Sequence, residues 1–408
     1  MPTMPMMPMM PTPTSTPPRR RALRWALLVL ALLATLAVAG RDLVPPWMVV
    51  QGKALISDFR HFDAAPIARA GTPSPLPKAP ARLAWPAAAG AAPEAWLAAR
   101  GTVALLVLRR GELVYEGYFD GFTRESIGTS FSVAKSVVSA LVGIALAEGR
   151  IASLDDAITR YLPELAQGDP RFARITLRHL LLMRSGVAFD EGYRSPLSDA
   201  SRFYLSRDLA ARVRELKIAG EPDRLQAYKS GDTQLLGMAL ERATGLPLAK
   251  YAESRLWQPM GAEFDASWSL DDAGAGVAKA FCCLNARAVD FARFGQLFLQ
   301  GGRIDGRQVV PEAWVRESTA VAARPGGNDI QRRNIERAHS ERRAFYAYQW
   351  RRAAQAGGEP AADFYAQGLL GQYVYVAPAT QTVLVRLGRH QGEVFWPAFL
   401  GELARLNP

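Results

Sequence analysis

Strand-like apolar runs lie near both ends of this chain, and mainly helical patterns fill the long stretch between them. Towards the amino terminus, Val103–Leu108 and Leu113–Tyr118 flank Arg109-Arg110-Gly111 and read as a hairpin. Towards the carboxy terminus, Ala347–Trp350, Gln372–Ala377 and Thr382–Gly388 read as strands, followed by a last helix over about 394–405. Strands at both ends imply one sheet assembled from the two termini. The expected fold is α/β: an antiparallel sheet of N- and C-terminal strands, flanked by helices, against a central mainly helical region. The crevice between the two parts is the natural site.

Three central helices carry clear signals. The first follows Thr129 or Ser130 as cap, keeps a helical apolar period through Val137, Val138, Leu141, Ile144 and Ala145, and stops at Gly149. The second runs from Thr233 to Ala243 and ends at Thr244-Gly245; the third, capped by Asn285, runs to about Gln300. A shorter one over Ile175–Arg184 stops at Ser185-Gly186. Arg316–Arg343 is basic, contains Pro325-Gly326-Gly327, and reads as an exposed insertion.

The chain has 408 residues, 49% hydrophobic and 21% charged, which suits one large domain or two packed ones. Residues 1–18 are Met/Pro-rich and read as a disordered tail. Within 19–41, Arg19, Arg20, Arg21 and Arg24 precede the uncharged run Trp25–Gly40, the pattern of a signal anchor or a cleaved signal peptide. Either places the folded part outside the cytoplasm, on the periplasmic side, anchored in the inner membrane or secreted. Residues 42–94 read as a linker and wrap, and 95–408 as the main domain. The net charge of +11 comes without a nucleic-acid motif or a basic-aromatic stripe, so nucleic acid is not an expected partner. Cys282 and Cys283 are adjacent, rarely a disulfide geometry, and are expected as small buried thiols.

The chemistry centres on Ser132-Val133-Ala134-Lys135. Residues three apart share a helix face, so a lysine amine stands one turn from a serine hydroxyl. At the start of a helix, orphan N–H groups and the helix dipole favour negative charge. A lysine can hold or remove the serine proton without histidine, and His61, His179, His339 and His390 fall in no catalytic or metal-ligand spacing. Tyr228-Lys229-Ser230, at a loop-to-helix transition, adds a phenol suited to general base work beside an ammonium. Ala366-Gln367-Gly368-Leu369 leads into a strand, where glycine permits close backbone approach; the Leu369 N–H can join that of Ser132 as an oxyanion hole. Tyr193, in Asp190-Glu191-Gly192-Tyr193, is a further candidate to reach the pocket.

In this order, the three elements resemble the serine β-lactamase and penicillin-binding-protein superfamily, class C-like branch, and within it the 6-aminohexanoate-dimer hydrolase and carboxylesterase group. Supporting stretches are Leu181–Gly186, Phe291–Gly295, Val310–Trp314, Tyr348-Gln349-Trp350 and Gly371-Gln372-Tyr373, and the resemblance covers about 95–405. It implies Ser132 as acylated nucleophile, Lys135 as its proton partner and Tyr228 as general base. It implies no cofactor and no metal, and a small ester or amide as substrate. Ser230, Gln367, Gly368 and Tyr193 are the implied substrate contacts. Ser230 stands where the family often has asparagine, and the Lys-Thr-Gly triplet of true β-lactamases is absent. The alternatives are a D-alanyl peptidase or weak β-lactamase, and a non-catalytic anchored binding or sensor domain.

Overall fold

The computed structural model describes residues 45–193, 195–272, 276–320, 344–354 and 360–407, with Leu23 and Trp25. The Met/Pro-rich tail, the segment 19–41 expected as a signal anchor or signal peptide (those two residues apart) and the basic segment 324–343 lie outside the described residues. No helix among the described residues is long and apolar enough to cross a membrane. The chain divides into two units, Met1–Gly52 and Lys53–Pro408, and the second carries everything that follows.

Thirteen strands are described: β1 (Ala64–Ile67), β2 (Thr102–Arg109), β3 (Glu112–Tyr118), β4 (Gly128–Thr129), β5 (Ala266–Ser269), β6 (Leu284–Ala286), β7 (Arg303–Ile304), β8 (Arg307–Gln308), β9 (Ala344–Tyr346), β10 (Arg351–Ala354), β11 (Pro360–Gly368), β12 (Gln372–Ala377) and β13 (Thr382–Gly388). Seven of them form one antiparallel sheet in the order β3-β2-β13-β12-β11-β10-β9. The expected joining of the two termini is the β2–β13 ladder, running from Arg109 opposite Thr382 to Ala104 opposite Leu387.

Both faces of this sheet are covered, so its central strands read as unbroken apolar runs rather than alternating ones. On β2, Ala104, Leu106 and Leu108 face one core layer, while Leu105 and Val107 face the other. The first layer lies under α2 (Val133–Ala147), α3 (Ser230–Thr244) and α4 (Ala288–Leu299). The second lies under α1 (Pro93–Ala99) and α5 (Trp396–Leu406), with Trp396, Phe399 and Leu400 from α5 and Leu97 from α1.

Several local expectations are corrected. Ala347–Trp350 is the turn between β9 and β10, not a strand: Gln349 has φ 64°, and its amide Nε2 donates to the carbonyls of Leu180 and Leu181. The burial of Ala347 and Trp350 reflects packing and not pleating. Asn285 caps no helix; it lies in β6 and its Nδ2 donates to Ser267 and Ser269, while α4 begins three residues later. The helix expected over 175–184 is only Leu177–Leu181, capped by Thr176, whose own N–H donates to His179 Nδ1. A second sheet, β1-β5-β6-β4, escaped the sequence reading because its strands have two to four residues, too short for a period to show.

Where α2 crosses the helix Glu312–Thr319, Gly143 removes the side chain that would block Trp314. A Cβ built at 143 falls 2.2 Å from the indole Cγ. Replacing Gly143 with Ala improves helix propensity by about 1 kcal/mol yet overpacks a fixed ring, at a cost of about 1–3 kcal/mol. The expected outcome is a lower midpoint in urea denaturation, against the propensity trend.

Candidate active site

The chain enters α2 through a tight turn. β4 pairs with β6, Ser130 N–H donates to Leu284 O at 2.8 Å, and Phe131 takes φ 44°. Ser132 is then the N-cap residue, rather than Thr129 or Ser130 as expected, and makes no side-chain cap. Its hydroxyl is left for other work. It is half-buried, whereas Lys135, one turn on, is 1% exposed.

Lys135 Nζ has three oxygens around it: Ser132 Oγ at 3.0 Å, Ser230 Oγ at 3.2 Å and Phe281 O at 2.8 Å. The Tyr228 ring packs beside it, with its centroid 4.9 Å from Nζ. Ser132, Lys135, Tyr228 and Ser230 are therefore brought together from two distant pieces of sequence. The 227–230 segment is held by the Met183 turn: Ala227 N–H donates to Met183 O, and Met183 itself has φ 57°. Among the described residues the Tyr228 hydroxyl makes no hydrogen bond.

Gly368 closes the third side. A Cβ at 368 would lie 2.3 Å from Ser130 O and 3.1 Å from Ser132 N, so only glycine lets β11 come this near the serine. Leu369 follows directly, and Leu370 turns the chain away with φ 63°. Gln367 is placed differently. It pairs with Tyr373 and shares the sheet face of Tyr365, in the layer under α5, while Ala366 faces α2. Tyr193 is 54% exposed and donates to Glu191, so it lies at the mouth and not in the interior.

The structure adds groups that sequence reasoning missed. Glu191 accepts from Ser230 N–H at 2.6 Å and from Ser230 Oγ at 2.7 Å. Arg351, on β10, brings its guanidinium carbon 5.2 Å from the Tyr228 ring centroid and 5.5 Å from that of Tyr346. A cation thus stands beside the phenol although the Lys-Thr-Gly lysine is absent. Neither residue had a motif spacing to reveal it. Phe281, which supplies the carbonyl to Lys135, precedes Cys282 and Cys283, and these two are joined as a disulfide. This overturns the expectation of two thiols: Cys283 adopts φ 69°, an unusual backbone for a side-chain residue, which lets neighbouring sulfurs meet. Among the described residues no group of His, Cys, Asp and Glu could hold a metal ion.

Behind Ser230, Asp232 is fully buried, accepts from Ser185 Oγ at 2.6 Å and has Lys229 Nζ at 3.8 Å. Burial raises its carboxyl from 3.8 to about 6, against the opposing pull of Lys229 and the Ser185 hydroxyl. A carboxyl raised on folding stabilises fully below its unfolded value, and that contribution is lost as pH climbs through the folded value. Asp232→Asn should abolish this slope between about pH 4 and 6, as read from urea denaturation across pH. A variant that keeps the parental slope would contradict the assignment.

Comparison with known proteins identifies the family of the chain. The family described as Beta-lactamase matches residues 94–395. The chain is 29% identical over 297 residues to 6-aminohexanoate-dimer hydrolase of Paenarthrobacter ureafaciens, covering 70% of this chain and 72% of that protein. It is 31% identical over 183 residues to Esterase EstB of Burkholderia gladioli, covering 40% and 45%. A Bacillus anthracis structure assigned to the 6-aminohexanoate-dimer hydrolases superposes with TM-score 0.72 at 24% identity, over 88% of this chain and 93% of that one. The chain belongs to the beta-lactamase family and is a serine hydrolase.

Proposed function

We propose that the chain cleaves small esters or amides through an acyl-enzyme on Ser132. The observation that carries this reading is a half-open serine hydroxyl 3.0 Å from a buried lysine amine. Ser132 Oγ attacks the substrate carbonyl carbon as its proton passes to Lys135, and the carbonyl electron pair moves onto oxygen. That oxyanion lies between the N–H groups of Ser132 and Leu369, which the close approach of Gly368 supports. Collapse breaks the bond to the leaving group, which takes the proton by way of Lys135 and Tyr228. Water activated beside Tyr228 then releases the acid and restores the Ser132 hydroxyl.

The relatives include one named for an amide substrate and one named an esterase, and both chemistries fit this sequence of steps. Ala366-Gln367-Gly368 in place of Lys-Thr-Gly argues against efficient β-lactam turnover. Ser132→Ala should abolish labelling by a fluorophosphonate probe and lower ester and amide hydrolysis by at least about 10³-fold. Labelling that persists on the same peptide would sink the reading.

We also infer an extracytoplasmic location. Arg19–Arg24 ahead of an apolar run supports it, as does the Cys282–Cys283 disulfide, since disulfides persist in oxidising compartments. Alkaline phosphatase fused after Pro408 should be active in intact cells; a fusion active only after lysis under oxidising conditions would refute the location.

A further inference from the structure

The Lys135–Ser230 contact has a polarity that the two residues cannot set by themselves. A serine hydroxyl carries one hydrogen and can rotate it, so Ser230 can either donate to Lys135 or accept from it. Phe281 O, a carbonyl, can only accept, and it takes one Lys135 hydrogen at 2.8 Å. If Ser230 donated to the amine, it would occupy the lone pair, and Lys135 would face Ser132 with N–H. No proton could then leave Ser132 for the amine. In the neutral amine that the proposed proton transfer requires, Ser230 as acceptor leaves both hydrogens placed and the lone pair for Ser132 Oγ, 3.0 Å away. One hydrogen decides the outcome.

Glu191 holds that hydrogen. Its two oxygens grip Ser230 at both ends, Oε1 from the hydroxyl at 2.7 Å and Oε2 from the backbone N–H at 2.6 Å. Ser230 is the first residue of α3, a 15-residue helix, so its N–H is an orphan donor and a carboxylate there is favoured by the dipole. Tyr193 donates its hydroxyl to the same Oε1, which keeps the carboxylate turned towards Ser230. An ionised carboxylate has no hydrogen to offer, so Ser230 must donate to Glu191 and is left as an acceptor towards Lys135. A hydroxyl needs an outside partner to fix its sense, and Glu191 stands in that place.

We propose that Glu191 is a positioning residue for nucleophile activation: by taking the Ser230 hydrogen it makes Ser230 an acceptor and aims the Lys135 lone pair at Ser132. This rests on Ser132 as the acylated residue. Glu191 hydrogen-bonds Ser230 and Tyr193, and neither Ser132 nor Lys135. Its effect runs only through Ser230, and that dependence is open to test.

The experiment measures the second-order rate of fluorophosphonate acylation, and kcat and KM for a chromogenic ester. Both are determined for the full chain and for Glu191→Gln, Glu191→Asp, Ser230→Ala and the Glu191→Gln/Ser230→Ala double variant. Glutamine can donate an amide hydrogen to Ser230 and reverse the chain, so Glu191→Gln should acylate about 10- to 100-fold more slowly, with the loss in kcat and KM within about twofold. Aspartate keeps the charge and should recover part of the rate. Once Ser230 is alanine there is no hydroxyl to orient, so adding Glu191→Gln should change nothing further. The proposal is overturned if Glu191→Gln acylates at the parental rate, or if it slows the Ser230→Ala background as much as it slows the parent. Peptide mass spectrometry of the labelled parent separates the two readings. A label absent from Ser132 removes the nucleophile assignment, whereas a label on Ser132 with no effect at 191 removes only this proposal.

Discussion

A lysine 1% exposed to solvent must find its hydrogen-bond partners inside the protein, and most of this architecture follows from satisfying Lys135. One partner oxygen sits on its own helix one turn back. A second opens α3, almost a hundred residues on. A third is the carbonyl of Phe281, on the disulfide-bearing turn that Trp268 Nε1 pins through the carbonyls of Lys279 and Cys282. The three come from separate segments, so the amine serves as the common point that α2, α3 and the 279–284 turn must all reach. Moving any one of these elements would strand a buried polar group.

The sheet supplies the remaining boundary. β11 is an interior strand, paired with β10 and β12, and it brings Gly368 against the Ser130–Ser132 turn. Apolar packing on both faces fixes its height relative to α2, since Ala366 and Val374 belong to the layer under α2 and Tyr365 and Tyr373 to the layer under α5. A one-residue slip would exchange the two sets and move the glycine off the serine. Register in the core is thereby a requirement of the chemistry.

What was legible in the sequence was what depends on local pattern. The β2–β3 hairpin, the run of α2, the glycine end of α3 at Gly245, and β12, β13 and α5 all follow from period and punctuation, and the Ser132–Lys135 pair from helical spacing. Tyr228-Lys229-Ser230 was read as a motif from its chemistry and its loop-to-helix position, and family resemblance supplied the long-range proximity to Ser132 that spacing cannot. What stayed hidden depends on tertiary placement. Asn285 looked like a cap because it precedes a helix, yet its amide is used between strands. Gln349 looked like part of a strand, yet it plugs helix carbonyls. Glu191 sat two residues from a singled-out tyrosine without any spacing to mark it, and the Cys282–Cys283 bond required a backbone angle that composition does not encode.

The ladder between β2 and β13 also governs when this protein can exist. Thr102 waits for Gly388 before its strand has a neighbour on that side, so β13 must be made before the sheet closes. Until then the alternating faces of β2, with Leu105 and Val107 on one side and Leu106 and Leu108 on the other, stand bare to water. Loops of this length close slowly and leave strand edges available to strangers. A chain that stops before β13 therefore leaves β2 with an open edge and bare apolar faces.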